Sequence, residues 1–187
     1  MSDDSIVRLK NVHKQYGLKG IRVHALKSIT LNVNDGDFVC IAGPSGSGKT
    51  TLLNLMGCLD TPTSGEVFIQ DKPTHNMSNG ELTRVRGKCI GFVFQTFNLI
   101  PRITALRNVM LPMVFVRKFR KSEWRSRAEK LLDGVGLAQR MHHKPLEMSG
   151  GEMQRVAIAR ALANDPLVIL ADEPTGNLDS ETGKEIM

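Results

Sequence analysis

The feature that most constrains this chain is a run at residues 43–50 in which glycines precede a lysine and a threonine. The run has the form G-x-x-x-x-G-K-[ST], whose backbone N–H groups cradle phosphate oxygens. An apolar run precedes it and a helical pattern follows it, which is the setting that the motif requires. The sequence therefore predicts a phosphate-binding P-loop in an α/β protein.

Each residue type in this loop has a separate task. Glycines let the backbone approach phosphate closely, and the helix that follows adds partial positive charge at its N-terminus. We expect Lys49 to reach the β- and γ-phosphates of a nucleotide and Thr50 to offer its hydroxyl to Mg²⁺. The predicted nucleotide-binding residues of the loop are Gly43, Pro44, Ser45, Gly46, Ser47, Gly48, Lys49, Thr50 and Thr51.

Two adjacent carboxylates, Asp172 and Glu173, follow a second apolar run at 167–171. That run predicts a strand buried on both faces. A carboxylate at the end of such a strand would hold Mg²⁺, and Glu173 could polarise a water toward the γ-phosphate. The pattern is weak alone and gains its weight from the P-loop upstream.

A third motif, Ser149-Gly150-Gly151-Glu152, reads first as a capping box that begins a helix. Two glycines in a first helical turn cost about 1 kcal/mol each relative to alanine. Their presence suggests that an anion approaches the backbone there. Since the P-loop already binds this chain's own phosphates, the motif hints at a site shared between two copies.

The rest of the chain divides into a strand-rich first part and a helical stretch. Asn34-Asp35-Gly36-Asp37 predicts a turn, and an apolar stripe from Trp124 to Val135 predicts a helix that ends at Gly134 and Gly136. Residues 38–42 predict a strand buried on both faces. Strands are also predicted at 6–12, 29–34, 66–70 and 90–94, and helices at 49–59, from 149 to before Pro166, and from 180 onward.

Composition indicates one ordinary globular domain, because 24% of the 187 residues are charged and 41% hydrophobic. Cys40, Cys58 and Cys89 lie far apart without metal-ligand spacing, which favours a reducing compartment. The acidic N-terminus does not resemble a signal peptide. The longest apolar run, at 109–116, contains Pro112 and is too short to span a membrane.

The net charge of +6 is concentrated at residues 117–130, which contain seven lysines and arginines and only two glutamates. A solvated helix face is the first interpretation. Attraction to an anionic membrane leaflet is the second. Nucleic acid ranks last, because the segment carries no binding motif.

In this order the motifs resemble the ATP-binding cassette family, the motor subunits of ABC transporters. Residues 43–50 resemble Walker A, 148–152 the LSGGQ signature, and 167–173 Walker B with its catalytic glutamate. Three further positions match the family: Tyr16 the aromatic that stacks on adenine, Gln95 the Q-loop glutamine, and residues 176–179 the D-loop. Residues 91–101 are similar to cassettes of the macrolide-export and lipoprotein-releasing type.

The resemblance implies a P-loop NTPase fold, with a RecA-like core, an antiparallel β subdomain and an inserted α-helical subdomain. A single ABC ATPase domain would cover 1–187, with its nucleotide-binding core at 1–95 and 149–187 and its helical subdomain at 96–148. The implied catalytic residues are Glu173, Gln95 and Lys49; the implied Mg²⁺ ligands are Thr50, Gln95 and Asp172; Ser149, Gly150, Gly151 and Asp179 would contact ATP in trans.

It also implies an ATPase that works as a head-to-tail homodimer on integral membrane permease subunits, in an exporter or lipoprotein-release system. The cassette would be cytoplasmic, peripheral on the inner face of the cell membrane, with no nucleic-acid partner. The alternatives are a soluble, non-transport ABC ATPase and a module that uses ATP only as a conformational ligand. Only 100 positions separate Lys49 from Ser149, which leaves no room for the coiled coils of chromosome-maintenance ATPases.

The chain departs from the family pattern at several points. The signature carries Met148 for leucine and Glu152 for glutamine, and Arg107 replaces a usual glutamate. The family continues beyond the D-loop to a switch histidine, which this sequence does not reach. We therefore expect the C-terminal part of the family domain to be absent, and the chain to bind nucleotide better than it hydrolyses it.

Overall fold

The computed structural model describes residues 5–18 and 21–176. The chain divides into two compact units, Met1–Arg86 and Gly87–Met187. The predicted helix from residue 180 and the D-loop residue Asp179 lie outside the described residues. Across the part described, no helix is long and apolar enough to cross a bilayer.

An antiparallel sheet of four strands dominates the first unit, in the order β2-β1-β3-β4. Its strands are β1 (Ser5–Leu18), β2 (Ile21–Asn34), β3 (Ser64–Ile69) and β4 (Lys72–Pro73), and its helices are α1 (Lys49–Met56), a 3₁₀ turn at Thr74–Asn76 and α2 (Asn79–Cys89), whose last residues belong to the second unit. The predicted strands at 6–12, 29–34 and 66–70 are confirmed, since each lies largely within one of these elements. Sequence reasoning missed α2.

Val7, Leu9 and Val12 of β1 are fully buried, and the step of three residues from Leu9 to Val12 falls where the β1–β2 register shifts. Register shifts along the β1–β2 pairing add local twist without ending the ladder. Tyr16 consequently lies within β1 and not after it. Gly65, the second residue of β3, has φ +83°, and a Cβ there would lie 2.2 Å from the Asn11 carbonyl oxygen. This close approach of β3 to β1 therefore requires glycine.

The strand predicted at residues 38–42 is wrong. Asp37 N–H closes the predicted turn on the Asn34 carbonyl at 3.3 Å, but the chain then continues without joining either sheet of the described residues. Phe38 is 87% exposed and Val39 44% exposed. An apolar run favours burial but does not specify a hydrogen-bonding partner, and a strand forms only where one is available.

Three helices pack around one apolar core in the described part of the second unit. They are α3 (Ala105–Val116), α4 (Trp124–Gly134) and α5 (Gly150–Ala161), joined by 3₁₀ turns at Lys121–Glu123, Ala138–Arg140 and Pro145–Glu147. The predicted stripe of α4 is confirmed, because Ala128 and Leu132 are fully buried against Val109 and Val156 of the neighbouring helices. Gly136, with φ +73°, follows the end of α4.

A parallel pair of strands accompanies these helices, β5 (Ile90–Val93) beside β6 (Val168–Ala171). Both were predicted as strands, and that prediction is confirmed. Full burial of β6 is wrong, since Leu170 is buried while Ile169 is 46% exposed. Successive side chains of a strand point to opposite faces, and here the face that carries Ile169 is exposed while Leu170 on the other face is buried.

Asn108 is a fully buried amide on α3 that holds the loop before that helix. Its Oδ1 accepts from the Ile100 N–H at 2.8 Å. Its Nδ2 lies within hydrogen-bond distance of the carbonyl oxygens of Ile100, Ile103 and Thr104. The side chain therefore replaces the backbone partners that an irregular loop lacks.

The basic segment at 117–130 is partly engaged within its own unit. Arg127 donates to the Ala163 carbonyl at 2.8 Å and pairs with Asp165, and its guanidinium lies over the Phe119 ring. Lys118 donates to the Asn164 carbonyl at 2.9 Å. These cations bind carbonyls just beyond the end of α5, where positive charge is favourable. The observations favour the interpretation as a structural, solvated face.

We expect Asn108→Ala to lower the free energy of unfolding by about 2–3 kcal/mol, because the buried amide and four hydrogen bonds to backbone groups at 100–104 would be lost. Urea denaturation followed by circular dichroism measures the change. Arg102→Ala, an exposed site in the same loop, is the matched control and should change stability by less than about 0.5 kcal/mol. Equal effects of the two variants would contradict the assigned role of Asn108.

Candidate nucleotide-binding site

The predicted P-loop connects residue 42 to α1 in a conformation that depends on glycine. Gly46 and Gly48 have φ of +79° and +95°. A Cβ at Gly48 would lie 2.5 Å from the Ala25 carbonyl oxygen, so the loop lies directly against β2. Because Gly48 has no side chain, no side-chain cap closes the first turn of α1, and a helix N-terminus attracts anions.

Lys49 is the first residue of α1 and folds its side chain back over the loop. Its Nζ donates to the carbonyl oxygens of Gly43 at 2.9 Å and Pro44 at 3.1 Å. Thr50 follows in the same first turn and is exposed. The arrangement places an ammonium and a hydroxyl beside backbone N–H donors, which suits a phosphate chain with a bound cation.

Tyr16 stands on β1 in the same unit as the P-loop and is 38% exposed. Its phenol O–H donates to Asp60 Oδ2 at 2.8 Å. The ring is thus held at its hydroxyl end and keeps exposed apolar surface, as a stacking platform for a base requires.

Ser149 caps α5 as the sequence predicts. Its Oγ accepts from the Glu152 N–H at 3.2 Å, and the Glu152 carboxylate accepts from the Ser149 N–H at 2.8 Å. Arg140 lies 3.2 Å from the same carboxylate. The hydrogen bond from the Ser149 N–H, helped by Arg140, lowers the pKa of Glu152 against the opposing effect of burial. The capping box occupies two N–H groups and leaves those of Gly150 and Gly151 as donors for an anion.

The carboxyl ends of β5 and β6 bring Gln95 near the loop that follows β6, which contains the two predicted acidic residues. Val93 pairs with Ala171 in the parallel ladder, and Asp172 N–H donates to the Val93 carbonyl at 3.0 Å. A Cβ at Gly176 would lie 3.0 Å from Gln95 Nε2 and 3.3 Å from the Glu173 carbonyl. Glu173 itself takes φ 45°, a left-handed conformation that is uncommon for this residue type and typical of functional loops.

Two residues that sequence reasoning missed anchor these loops to α5. Gln154 is fully buried, and its Nε2 donates to the Pro174 carbonyl at 2.6 Å. Arg160 donates to the carbonyls of Phe97, at 2.8 Å, and Asn98 in the loop that follows Gln95. Burial lowers the pKa of Arg160. Their signal in the sequence was only a polar residue at an apolar helix position.

The predicted site residues thus fall into two groups. Tyr16, residues 43–50 and Thr51 belong to the first unit. Gln95, residues 149–151 and residues 172–173 belong to the second, where the structure brings Gln95 close to the loop after β6.

Comparison with known proteins gives a consistent result. The family model described as ABC transporter matches residues 26–176. An uncharacterised ABC transporter ATP-binding protein of Thermotoga maritima is 53% identical over 182 residues, covering 97% of this chain and 77% of the relative. The macrolide export ATP-binding/permease protein MacB of Bdellovibrio bacteriovorus is 47% identical over 97% of this chain and 28% of its own length.

A solved structure is also similar, the dimeric post-hydrolysis state of the ATP-binding cassette MJ0796 bound to ADP and Pi. It superposes with a TM-score of 0.89 at 52% identity, over 96% of this chain and 79% of that one. The MJ0796 protein of Methanocaldococcus jannaschii is described as an uncharacterised ABC transporter ATP-binding protein. The likeness confirms the predicted P-loop NTPase fold.

We expect Lys49→Ala to abolish detectable ATP binding, because the ammonium above the loop would no longer contact phosphate. Isothermal titration calorimetry with Mg-ATP measures the affinity. Lys72→Ala removes an exposed lysine of the same unit and should bind ATP as the parent chain does. An unchanged affinity in the Lys49 variant would overturn the P-loop assignment.

Glu152→Gln should cost a few tenths to about 1 kcal/mol of stability at neutral pH, since the cap loses its charge. The pKa of Glu152 is lowered in the folded state, so this stabilisation is present above the ordinary value of 4.5 and lost as pH falls through the lowered value. Urea unfolding at pH 7 and at about pH 3 measures the convergence of variant and parent. A gap that stays constant with pH would show that the cap charge contributes nothing.

Proposed function

This chain belongs to the ABC transporter family as an ATPase cassette, a motor subunit, and from that premise we propose that two copies close head to tail on ATP. The P-loop of one copy would hold the triphosphate, and Ser149 with Gly150 and Gly151 of the other copy would cover it. Asp179 would add a contact in trans. Neither half of such a site is complete alone, so ATP would join the copies and hydrolysis would release them.

The observation that carries this proposal is the pair of helix beginnings. α1 begins after Gly48 without a side-chain cap, and α5 begins with two glycines behind a satisfied capping box. Each end attracts phosphate. The dimeric state recorded for the MJ0796 cassette, bound to ADP and Pi, supports an arrangement in which two cassettes share nucleotide.

Three of the predicted site residues carry side-chain oxygens that suit Mg²⁺. A threonine hydroxyl, a glutamine carbonyl and an aspartate carboxylate are hard oxygen donors, which Mg²⁺ prefers. We assign these roles to Thr50, Gln95 and Asp172. When bound, Mg²⁺ neutralises charge on the phosphates. Glu173 would accept a proton from the attacking water, and Lys49 would stabilise the γ-phosphate oxygens.

An integral membrane permease is the proposed partner, with the cassette on the inner face of the cell membrane. The MacB relative is named as an ATP-binding/permease protein, so it joins a similar cassette to a permease in one chain. The stretch at 91–101 favours an exporter or a lipoprotein-releasing machine. Gln95 and the loop held by Arg160 would carry nucleotide state toward the helices α3 and α4.

We expect Glu173→Gln to trap an ATP-bound dimer, because water is no longer activated while ATP contacts persist. Size-exclusion chromatography with Mg-ATP measures the shift from monomer to dimer. Adding Lys49→Ala to the same protein should abolish the dimer.

We also expect a tagged Glu173→Gln variant, expressed in its native host and extracted from gently solubilised membranes, to co-purify with a polytopic permease. Mass spectrometry identifies the partner. A variant that stays monomeric at millimolar Mg-ATP and high protein concentration, with permease present, would contradict the shared site. Repeated isolation without a membrane partner would favour a non-transport cassette.

A further inference from the structure

The platform residue Tyr16 is held by more than its place on β1. Its O–H donates to Asp60 Oδ2 at 2.8 Å, and Lys14 Nζ lies 4.9 Å from the centroid of its ring. Lys14 is buried, with only 11% of its side chain exposed. A ring that is hydrogen-bonded at its edge and faces a cation on one side keeps a single orientation and presents its opposite face.

Asp60 makes these contacts from the stretch that leaves α1. Its backbone N–H lies 3.3 Å from the Asn54 carbonyl of that helix, and the Leu59 N–H donates to the same oxygen at 2.9 Å. Its side chain accepts from Lys14 Nζ at 2.6 Å and from the Thr61 N–H at 2.7 Å. The residue therefore joins the end of α1 to β1 through one carboxylate.

The same stretch is fixed to β1 at two further points. The Thr63 N–H donates to the His13 carbonyl at 2.9 Å, and the Gln15 N–H donates to Thr63 Oγ1 at 2.9 Å. Residues 60–63 thus run along the part of β1 that leads up to Tyr16, from His13 onward. The connection has little freedom to shift along the strand.

The carboxylate is charged when it makes these bonds. Burial acts to raise the pKa of Asp60, but the hydrogen bonds from Lys14, Tyr16 and the Thr61 N–H outweigh it and lower the pKa. Hydrogen bonds to a charged acceptor are stronger than those between neutral groups. The contact therefore resists displacement at neutral pH.

We propose that Asp60 is a positioning residue for the nucleotide base, which ties the orientation of Tyr16 to the helix that begins in the P-loop. This inference rests on the proposed role of Tyr16 as the adenine platform. One short helix would then carry the phosphate cradle at its first residue, Lys49, and the support of the base platform just beyond its last. A base and its triphosphate would meet surfaces whose spacing is set before binding, which reduces the entropic cost of binding.

The test separates the base from the phosphates by using two probes, Mg-ATP and magnesium tripolyphosphate, titrated calorimetrically into the full chain. We expect Asp60→Ala to weaken ATP binding roughly three- to tenfold and to leave tripolyphosphate binding unchanged. Asp71→Ala is the control, because Asp71 is an exposed carboxylate of the same unit that pairs with Arg8. It should leave both affinities unchanged.

Tyr16→Phe removes the same hydrogen bond from its other side and carries little risk to folding. It should weaken ATP alone, and Asp60→Ala should add less in the Tyr16→Phe background than it does in the parent chain. Tyr16→Ala tests the platform itself and should weaken ATP more than either variant.

Each other outcome overturns a definite statement. If Asp60→Ala weakens both probes equally, or adds its full effect to Tyr16→Phe, Asp60 does not act through the ring. If Tyr16→Ala weakens ATP alone while Asp60→Ala does not, the platform stands and the positioning role fails. If Tyr16→Ala leaves ATP binding unchanged, the platform fails and the positioning role with it.

Discussion

The placement of the functional loops in the second unit depends on polar contacts that α5 makes along its length. Glu152 closes the cap at its beginning, Gln154 binds the Pro174 carbonyl one turn later, and Arg160 binds the loop after Gln95 near its end. A half-buried guanidinium is costly when its donors lose their partners, so displacing this loop from Arg160 is unfavourable. A displacement at the start of α5 would therefore also move the loop at Pro174 and the loop after Gln95.

The helices α1 and α5 differ in how the backbone N–H groups of their first turns are capped. α1 begins after Gly48, which has φ +95°, lies close against β2 and provides no side-chain cap. α5 begins behind a serine and a glutamate that satisfy two donors internally and leave the glycine N–H groups. The N-terminus of α1 therefore has no side-chain cap, whereas the N-terminus of α5 is capped by its own side chains.

Sequence reasoning succeeded where function or structure follows from a local pattern. The P-loop glycines, the Ser149 cap and the α4 stripe depend on neighbours within one or two turns. It failed at residues 38–42 and at Ile169, because exposure there depends on which strands lie alongside. Asn108 and Arg160 were missed for a related reason. Their partners are backbone carbonyls of irregular loops, which no residue type announces in advance.

The side chain of Asn108 also links the dynamics of two segments. Because the Ile100 amide donates to a side chain on α3 and not to its own loop, its proton is protected only while α3 keeps its place. Hydrogen exchange at that amide would therefore report the opening of α3, although the amide itself lies in a loop. A loop that has no regular structure of its own thus shares the local stability of a helix packed in the core.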